Sequence, residues 1–335
     1  MVESFSKLVS KPKTLAQSIL WTVAYTDQFQ YPLTEIEIWE RLLRTEQRTG
    51  KGFGQSQKLR QNFQKELKNL VRSKKLSSQK GLQGHPHSDS FFFLSRHSKN
   101  VALRQKRNVA SAQKWRQVTN FVRLVSWIPW IRSIWVTGSL AMMNAQQNQD
   151  VDFMLVTQAN RLWLTRAIVT GVAFLAGKKR KPHGREDQTW CLNLWIDEKH
   201  LAVPNQKRSP YAAYEVAQAK VVFERGASAQ KFWRANQWVV NFLENWSAKL
   251  NGKRVAVESN SSANITDSAN STDSASSPLG KLFNWMEKIC FRVQLQYMQQ
   301  HRTTEQVDAG FAFFHPRHTE QLVSQEWQRR RKKLQ

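Results

Sequence analysis

Hydrophobic and polar positions follow two different spacings along this chain, and each change of spacing predicts a new element. Apolar residues three and four apart indicate amphipathic helices, whereas β-branched or aromatic runs and strict alternation indicate strands. Helices are predicted over residues 14–27, 35–43, 55–72, 101–125, 161–176, 211–224, 229–250 and 282–297. Strands are predicted over residues 91–94, 134–137, 150–156 and 190–196.

The first third of the chain has the element order of a winged helix: three short helices followed by a β-hairpin. Thr34 and Glu37 form a capping-box pattern at the start of the second helix. The third helix is basic, and its cationic residues are Lys58, Arg60, Lys65, Lys68 and Arg72. Such a helix favours nucleic-acid contact. Winged helices also dock proteins, and a basic helix is often only a solvated surface, so both alternatives stay open.

Candidate chemistry is concentrated between the second and third predicted strands. The strand at 134–137 ends at Gly138 and Ser139, and the next strand begins with Asp150 and Asp152. Alternate strand residues share a face, so these two carboxylates are expected side by side. Paired carboxylates repel unless a cation separates them, and their hard oxygens suit Mg²⁺. A glycine turn that opens a helix is, in addition, expected to admit a phosphate.

These residues resemble the signature of the nucleotidyltransferase superfamily typified by DNA polymerase beta. The context around Gly138, Ser139, Asp150 and Asp152 is similar to a poorly characterised prokaryotic branch, over roughly residues 115–246. The resemblance implies an α+β fold, with a small mixed β-sheet covered by helices. It also implies an enzyme that transfers a nucleoside monophosphate from an NTP to an unknown acceptor, with release of pyrophosphate.

In that resemblance Asp150 and Asp152 are catalytic and hold Mg²⁺, with a two-metal site possible, and Gly138 and Ser139 bind the NTP phosphates. Arg166, on the helix after the aspartates, is a further candidate for contact with the triphosphate. Such enzymes carry a third carboxylate on a following strand, where this chain has Asn193. Asn193 can ligate metal through its carbonyl oxygen but cannot act as a base.

The alternative function is therefore a catalytically impaired relative that acts as a nucleic-acid-binding or interaction module. Asp197 is too distant along its strand to replace Asn193, since four strand residues span about 13 Å. Cys191 is expected only to pack in the apolar strand, and the chain's two cysteines, Cys191 and Cys290, do not suggest a disulfide framework or a zinc site.

Charge adds to this picture. The 335-residue chain has a formal net charge of +26, which favours a polyanionic partner or an anionic substrate over a neutral one. A generally basic proteome is the other explanation. No signal-peptide pattern is found, and the most apolar helix, residues 162–176, is shorter than the roughly 20 residues that span a bilayer. A cytoplasmic protein without a membrane span is therefore expected.

Composition divides the chain into four parts. Residues 1–98 are predicted to form the winged-helix-like domain, and residues 99–250 the nucleotidyltransferase-like domain with its helical cover. Residues 251–279 are rich in serine and poor in apolar residues, which predicts a disordered linker. Residues 280–335 are predicted to form C-terminal helices whose apolar stripe folds back onto the main body, with a basic helix tip or tail at residues 329–333.

Overall fold

The computed structural model describes residues 10–47, 57–81, 90–95, 97–178, 189–246, 277–299, 306–313 and 318–334. The helices of this part are α1 (Leu15–Asp27), α2 (Glu35–Glu40), α3 (Gln57–Arg72), α4 (Lys99–Val125), α5 (Gly138–Ala141), α6 (Leu162–Leu175), α7 (Pro210–Gln218), α8 (Ser228–Ala235), α9 (Pro278–Gln299) and α10 (His318–Lys332). The strands are β1 (Leu33–Thr34), β2 (Leu76–Lys80), β3 (Ser90–Leu94), β4 (Ile131–Val136), β5 (Val151–Thr157), β6 (Trp190–Asp197), β7 (Lys220–Glu224), β8 (Gln306–Asp308) and β9 (Phe311–Phe313).

The strands form two sheets. A small antiparallel sheet of order β1-β3-β2 accompanies α1, α2 and α3. The large sheet has the order β7-β4-β5-β6-β9-β8, in which β5 and β6 are parallel and the other neighbours are antiparallel. The predicted α+β class and mixed sheet are therefore confirmed, whereas a nucleotidyltransferase core and a winged helix remain predictions.

Local sequence signals define the N-terminal helices as expected. The Thr14 hydroxyl accepts a hydrogen bond from the backbone N–H of Gln17 at the start of α1. Thr34 and Glu37 form the predicted capping box, with the Thr34 backbone N–H 2.9 Å from the Glu37 carboxylate. Helix ends that satisfy their own N–H groups can be identified from neighbouring residues alone.

The helix predicted over 35–43 ends at Glu40, and two further helix predictions are wrong at their C-terminal ends. The helix predicted over 211–224 ends at Gln218, and the rest is strand β7, which pairs with β4. The helix predicted over 229–250 ends at Ala235, followed by a 3₁₀ turn over residues 237–241. Asn236 is fully buried there, and its amide bonds Leu201 O, the Val203 N–H and the Trp238 indole. Long-range pairing overrides helical periodicity at both places.

The predicted boundary at residue 98 does not separate two hydrophobic cores. One buried cluster joins residues of α1, α2 and α3 to Trp135 and Met154 of the large sheet and to α7 and α8. Backbone hydrogen bonds join residues 42–44 to residues 242–244. A second cluster fills the opposite face of the sheet, where α4 and α6 cover Val151, Phe153 and Leu155. The N-terminal region therefore packs directly on one face of the large sheet.

The C-terminal region differs from its prediction in three respects. The predicted linker lies outside the described residues up to 276, and Pro278 already begins α9. The hairpin β8–β9, which the sequence did not indicate, extends the large sheet next to β6. The basic cluster is not a free tail, because it lies largely within α10 and Arg331 is only 6% exposed and stacks 3.4 Å from the Trp21 ring centroid.

Among the described residues, none of the helices is long and apolar enough to cross a membrane.

Candidate functional site

Three strands bring the candidate residues to one edge of the large sheet. Strands β4 and β5 pair antiparallel, with Val136 opposite Phe153, so the turn after β4 meets the start of β5. Strand β6 runs parallel to β5, with Cys191 opposite Asp152, so its first residues lie at the same edge. The predicted pairing of the strands at 134–137 and 150–156 is confirmed.

Gly138 lies against the second aspartate. Its φ is +62°, a backbone conformation that non-glycine residues rarely adopt. A Cβ at this position would be 2.7 Å from Asp152 Oδ2, closer than a non-bonded contact allows. Two independent requirements therefore favour glycine here, and the backbone of the turn approaches the Asp152 carboxylate directly.

Asp150 immediately precedes β5, and Asp152 is its second residue. Both side chains are partly exposed, whereas Val151 and Phe153 on the other face are fully buried, as strand alternation predicts. One ligand atom each from Asp150, Asp152 and Cys191 lie within 4.8 Å of one another. Cys191 was expected only to pack in the core, but its half-buried thiol belongs to the site.

Asn193 also reaches Asp152. Its Nδ2 donates a 2.9 Å hydrogen bond to Asp152 Oδ1, and the residue is 5% exposed. Its Oδ1 is buried and has no hydrogen-bond partner within the described part of the chain. Asp152 pairs with Cys191 and Met154 pairs with Leu194, so β6 has one more residue than β5 in this interval, which is a β-bulge. The bulge reorients the start of β6, where both Cys191 and Asn193 face the aspartate.

Ser139 anchors the loop between α5 and β5. Its hydroxyl donates to Gln149 Oε1 at 3.0 Å, and the same oxygen accepts the Gln146 N–H at 2.9 Å. The Gln149 carbonyl accepts a hydrogen bond from Lys114 Nζ at 2.5 Å. Ser139 therefore holds the residue that precedes Asp150, and the position of its hydroxyl depends on this loop.

Helix α7 contributes a carboxylate that sequence analysis missed. Burial raises the pKa of the Glu215 carboxyl to about 7, with a further contribution from the negative charge of Asp152 and an opposing hydrogen bond from Gln218. Burial, together with the charges of Glu215, Glu320 and Asp152, also raises the pKa of Tyr211. Both residues are thus electrostatically coupled to the aspartate. The available signal was a single acid, Glu215, in an otherwise uncharged helix.

Arg166 is not brought to this site. It lies on α6, and α6 covers the face of the sheet that contains Val151 and Phe153, opposite the face of Asp152. Its guanidinium donates to Gln294 on α9 and lies 5.8 Å from the Trp163 ring centroid. The predicted contact of Arg166 with a triphosphate therefore has no support from its position.

Asp197 lies at the far end of β6, opposite Thr157, as its sequence distance implied. The carboxylates of Asp150, Asp152 and Glu215 thus concentrate negative charge at one end of the sheet. Oxygen-rich clusters of this kind stabilise a hard divalent cation, which removes the repulsion between like charges.

Comparisons of this chain with protein-family models, with curated proteins and with solved structures find no match.

Proposed function

We propose that this protein is a metal-dependent nucleotidyltransferase that transfers a nucleoside monophosphate from an NTP to a hydroxyl or phosphate acceptor. The observation that supports it is the cluster of Asp150, Asp152 and Cys191, in which Asn193 donates a hydrogen bond to Asp152 and Gly138 lies against the Asp152 carboxylate. The same proposal includes a winged-helix-like N-terminal region as an accessory to the enzyme. It also includes a cytoplasmic location.

The donor set fits Mg²⁺. Two carboxylates and the unpartnered, buried Oδ1 of Asn193 are oxygen donors of the kind that Mg²⁺ prefers. The thiol of Cys191 is a softer donor, which suits Zn²⁺ better than Mg²⁺. Glu215 on α7 adds a third acid that is electrostatically coupled to Asp152, although it does not belong to the close cluster of Asp150, Asp152 and Cys191.

In the proposed reaction an acceptor oxygen forms a bond to the α-phosphorus, the bond to the bridging oxygen breaks, and pyrophosphate leaves. A divalent metal supplies charge stabilisation for both the attacking and the leaving oxygens. In this proposal the turn at Gly138 and Ser139 binds the phosphates, as the sequence resemblance implies. Asn193 holds Asp152 by a hydrogen bond, and Gly138 lets the turn lie against the same carboxylate. The acceptor proton passes to Glu215 or to water.

The test is pyrophosphate release from radiolabelled NTPs with Mg²⁺ or Mn²⁺ and a panel of acceptors. Asp150→Asn and Asp152→Asn are each expected to abolish release, while Asn193→Asp preserves or raises it by adding attraction for the metal. Asp308→Asn, an exposed acid on the same sheet, is the matched control and leaves turnover unchanged. Release that survives both aspartate substitutions contradicts the proposal.

A second candidate function is nucleic-acid binding without catalysis, and the surface of α3 favours it. Lys58, Lys65, Lys68 and Arg72 are exposed along this helix, whereas Phe63, Leu67 and Leu70 are buried. Arg60 is engaged in an ion pair with Glu35, at 3.0 Å, and lies over the Trp39 ring. The four remaining cations thus face solvent and can neutralise phosphates.

Binding through α3 requires a steep loss of affinity with salt, because each neutralised phosphate releases counterions. In the full-length protein, Lys65→Glu with Lys68→Glu is expected to weaken binding to all sequences alike. Asp152→Asn should leave this affinity unchanged or raise it. Affinity that does not vary with salt, or that the double substitution leaves intact, would assign α3 to protein docking instead.

A further inference from the structure

Exposed large apolar side chains concentrate on one face of α9 in the described part of the chain. Six of them, each between 38% and 65% exposed, follow helical spacing: Leu279, Leu282, Trp285, Ile289, Val293 and Tyr297. Phe174 and Leu175, at the end of the adjacent helix α6, are 67% and 85% exposed. The sequence pattern had predicted that the apolar stripe of this helix folds back onto the protein. The structure packs part of that stripe against the protein, at Phe283 and Cys290, and leaves the rest exposed.

Contacts with α6 and with the segment before β4 fix the orientation of α9. The Glu287 carboxylate accepts the backbone N–H groups of Trp163 and Leu164, each at 2.8 Å, and so caps the start of α6. The Phe291 ring packs 5.0 Å from that of Trp163, and the Phe283 ring 5.1 Å from that of Trp130. Because these contacts anchor one face, the apolar face is directed to solvent.

Cations accompany the exposed stripe. Lys281, Lys288 and Arg292 are exposed and follow one edge of it by helical periodicity. Glu287 is the only carboxylate in α9, and it is 8% exposed and engaged with α6. The outward surface of α9 is therefore apolar and cationic, with no acidic side chain, on a chain of net charge +26.

This charge distribution disfavours a second copy as the occupant. An antiparallel pair of α9 helices would place the two cationic edges side by side, with no carboxylate to neutralise them. Two whole chains of charge +26 also repel each other at a distance. A negatively charged partner surface has neither disadvantage.

We propose that the outward face of α9 binds the surface of a membrane that contains anionic phospholipids. A helix whose apolar face carries Leu, Ile and Val together with Trp and Tyr, and whose edge carries Lys or Arg, lies in the headgroup region of a bilayer. Trp285 and Tyr297 place amphipathic rings at that depth, and Lys281, Lys288 and Arg292 contact lipid phosphates. The protein binds the surface in this orientation without crossing it.

The test uses the full chain and vesicles of phosphatidylcholine, with or without about 30 mol% phosphatidylserine. Co-sedimentation is expected only with the anionic vesicles. Ile289→Glu should lower the partition coefficient at least about tenfold by removing apolar burial. Replacing Lys281, Lys288 and Arg292 by Gln should lower it about fivefold for each cation removed.

Two matched controls test whether vesicle binding depends on α9 rather than on the net charge of the chain or on an exposed apolar residue elsewhere. Replacing Lys58, Lys65 and Lys68 on α3 by Gln removes the same charge, and Ile36→Glu changes an apolar residue on α2 that is 55% exposed. Both variants should bind vesicles within about threefold of the wild type, since a distant charge is screened beyond about 10 Å. An equal loss in the α3 variant overturns the proposal.

Quenching by brominated lipid gives a site-specific readout. Wild-type tryptophan fluorescence should decrease on anionic vesicles, and Trp285→Phe should remove most of that decrease while circular dichroism stays unchanged. Failure of the folded wild type to bind anionic vesicles overturns the proposal. Self-association in sedimentation velocity that Ile289→Glu abolishes also overturns it, because a second copy would then be the occupant of this face. Binding to an acidic peptide helix but not to anionic vesicles overturns it as well.

Discussion

The two ends of the β5–β6 pair carry similar polar residues with different surroundings. At the far end, Asp197 is 3% exposed, and one of its oxygens accepts the N–H groups of Lys199 and His200 at 2.9 and 3.1 Å and contacts His200 Nδ1 at 2.7 Å. At the near end, Asp152 shares its surroundings with Asp150, Cys191 and Asn193.

The different surroundings of Asp197 and Asp152 distinguish an acid with a structural role from a candidate functional one. A carboxylate whose oxygens accept N–H groups of its own loop is stabilised by the fold. Carboxylates that face one another destabilise the fold until a cation or a proton arrives, and proteins keep such arrangements mainly at functional sites. Asp197 belongs to the first class and the Asp150–Asp152 pair to the second.

The largest expected effect comes from replacing Asp152 and Asp197, one at a time, by asparagine. Under the proposed function, Asp152→Asn should lower metal-dependent turnover at least about 1,000-fold, because it removes a negative charge that would hold the metal at the reacting phosphate. Its melting temperature should equal or exceed that of the wild type, since one repelling charge is lost. Asp197→Asn should keep turnover but melt earlier. Parallel activity and thermal-denaturation measurements check both, and the reverse pattern would invalidate the distinction.

Glu37 extends the structural class to the N-terminal region. Burial alone would raise its pKa, but the charge and hydrogen bonds of Arg104 outweigh burial and hold the pKa at about 2. Glu37→Gln should lower the free energy of unfolding by about 3 kcal/mol at neutral pH, because it leaves the Arg104 charge buried and unpaired.

The pH dependence of this contribution follows from the depressed pKa. An unfolded Glu titrates near 4.5, so the stabilisation is complete above that pH and is lost as the pH falls toward 2. Urea denaturation of the wild type and Glu37→Gln across this range should converge in acid. Glu66→Gln, on α3, is the control and should shift stability by less than about 0.5 kcal/mol at any pH.

Gly138→Ala tests the close approach of the turn to Asp152. The loss of stability should be about 2 kcal/mol, from the unfavourable φ of +62° together with the contact at 2.7 Å. Mg²⁺ affinity, measured by calorimetry, should fall at least about tenfold as the carboxylate moves. Gly226→Ala, with φ +58° and open space around it, isolates the backbone effect and should leave Mg²⁺ affinity unchanged.

Gly171→Ala, in open space within α6, should instead stabilise the protein by about 1 kcal/mol.

Glu215 gives the smallest effect and the opposite pH dependence to Glu37. Its folded pKa of about 7 lies above the unfolded value near 4.5. Stability from its neutral form is complete below about pH 4.5 and is lost as the pH rises through 7. Relative to Glu215→Gln, the wild type should lose about 1 kcal/mol across this window after allowance for solvent screening. If the free energy of unfolding from urea denaturation varies equally with pH in the two proteins, the raised pKa of buried Glu215 is contradicted.

Much of the fold was predictable because its determinants are local. The capping box at Thr34, the strand alternation at Val151 and Phe153, and the glycine turn at Gly138 each depend on neighbouring residues. The four residues Gly138, Ser139, Asp150 and Asp152 lie within one strand-turn-strand unit, so their proximity followed from sequence spacing. The function assigned to them remains a proposal.

Sequence spacing failed where partners are distant in the chain. The change from α7 to β7 depends on pairing with β4, and the position of Glu215 beside Asp152 depends on how α7 packs across the sheet. The face of α6 that carries Arg166, and the burial of Arg331 against Trp21, also depend on tertiary packing.

Local sequence was enough to predict the α+β class, most helix and strand positions, and the aspartate pair beside Gly138, because backbone sterics, capping and side-chain period act over a few residues. Long-range packing, in contrast, determines which acids share the site and which face of α9 meets solvent. Those outcomes depend on contacts between segments far apart in the chain, and several alternative packings satisfy the same hydrophobic pattern.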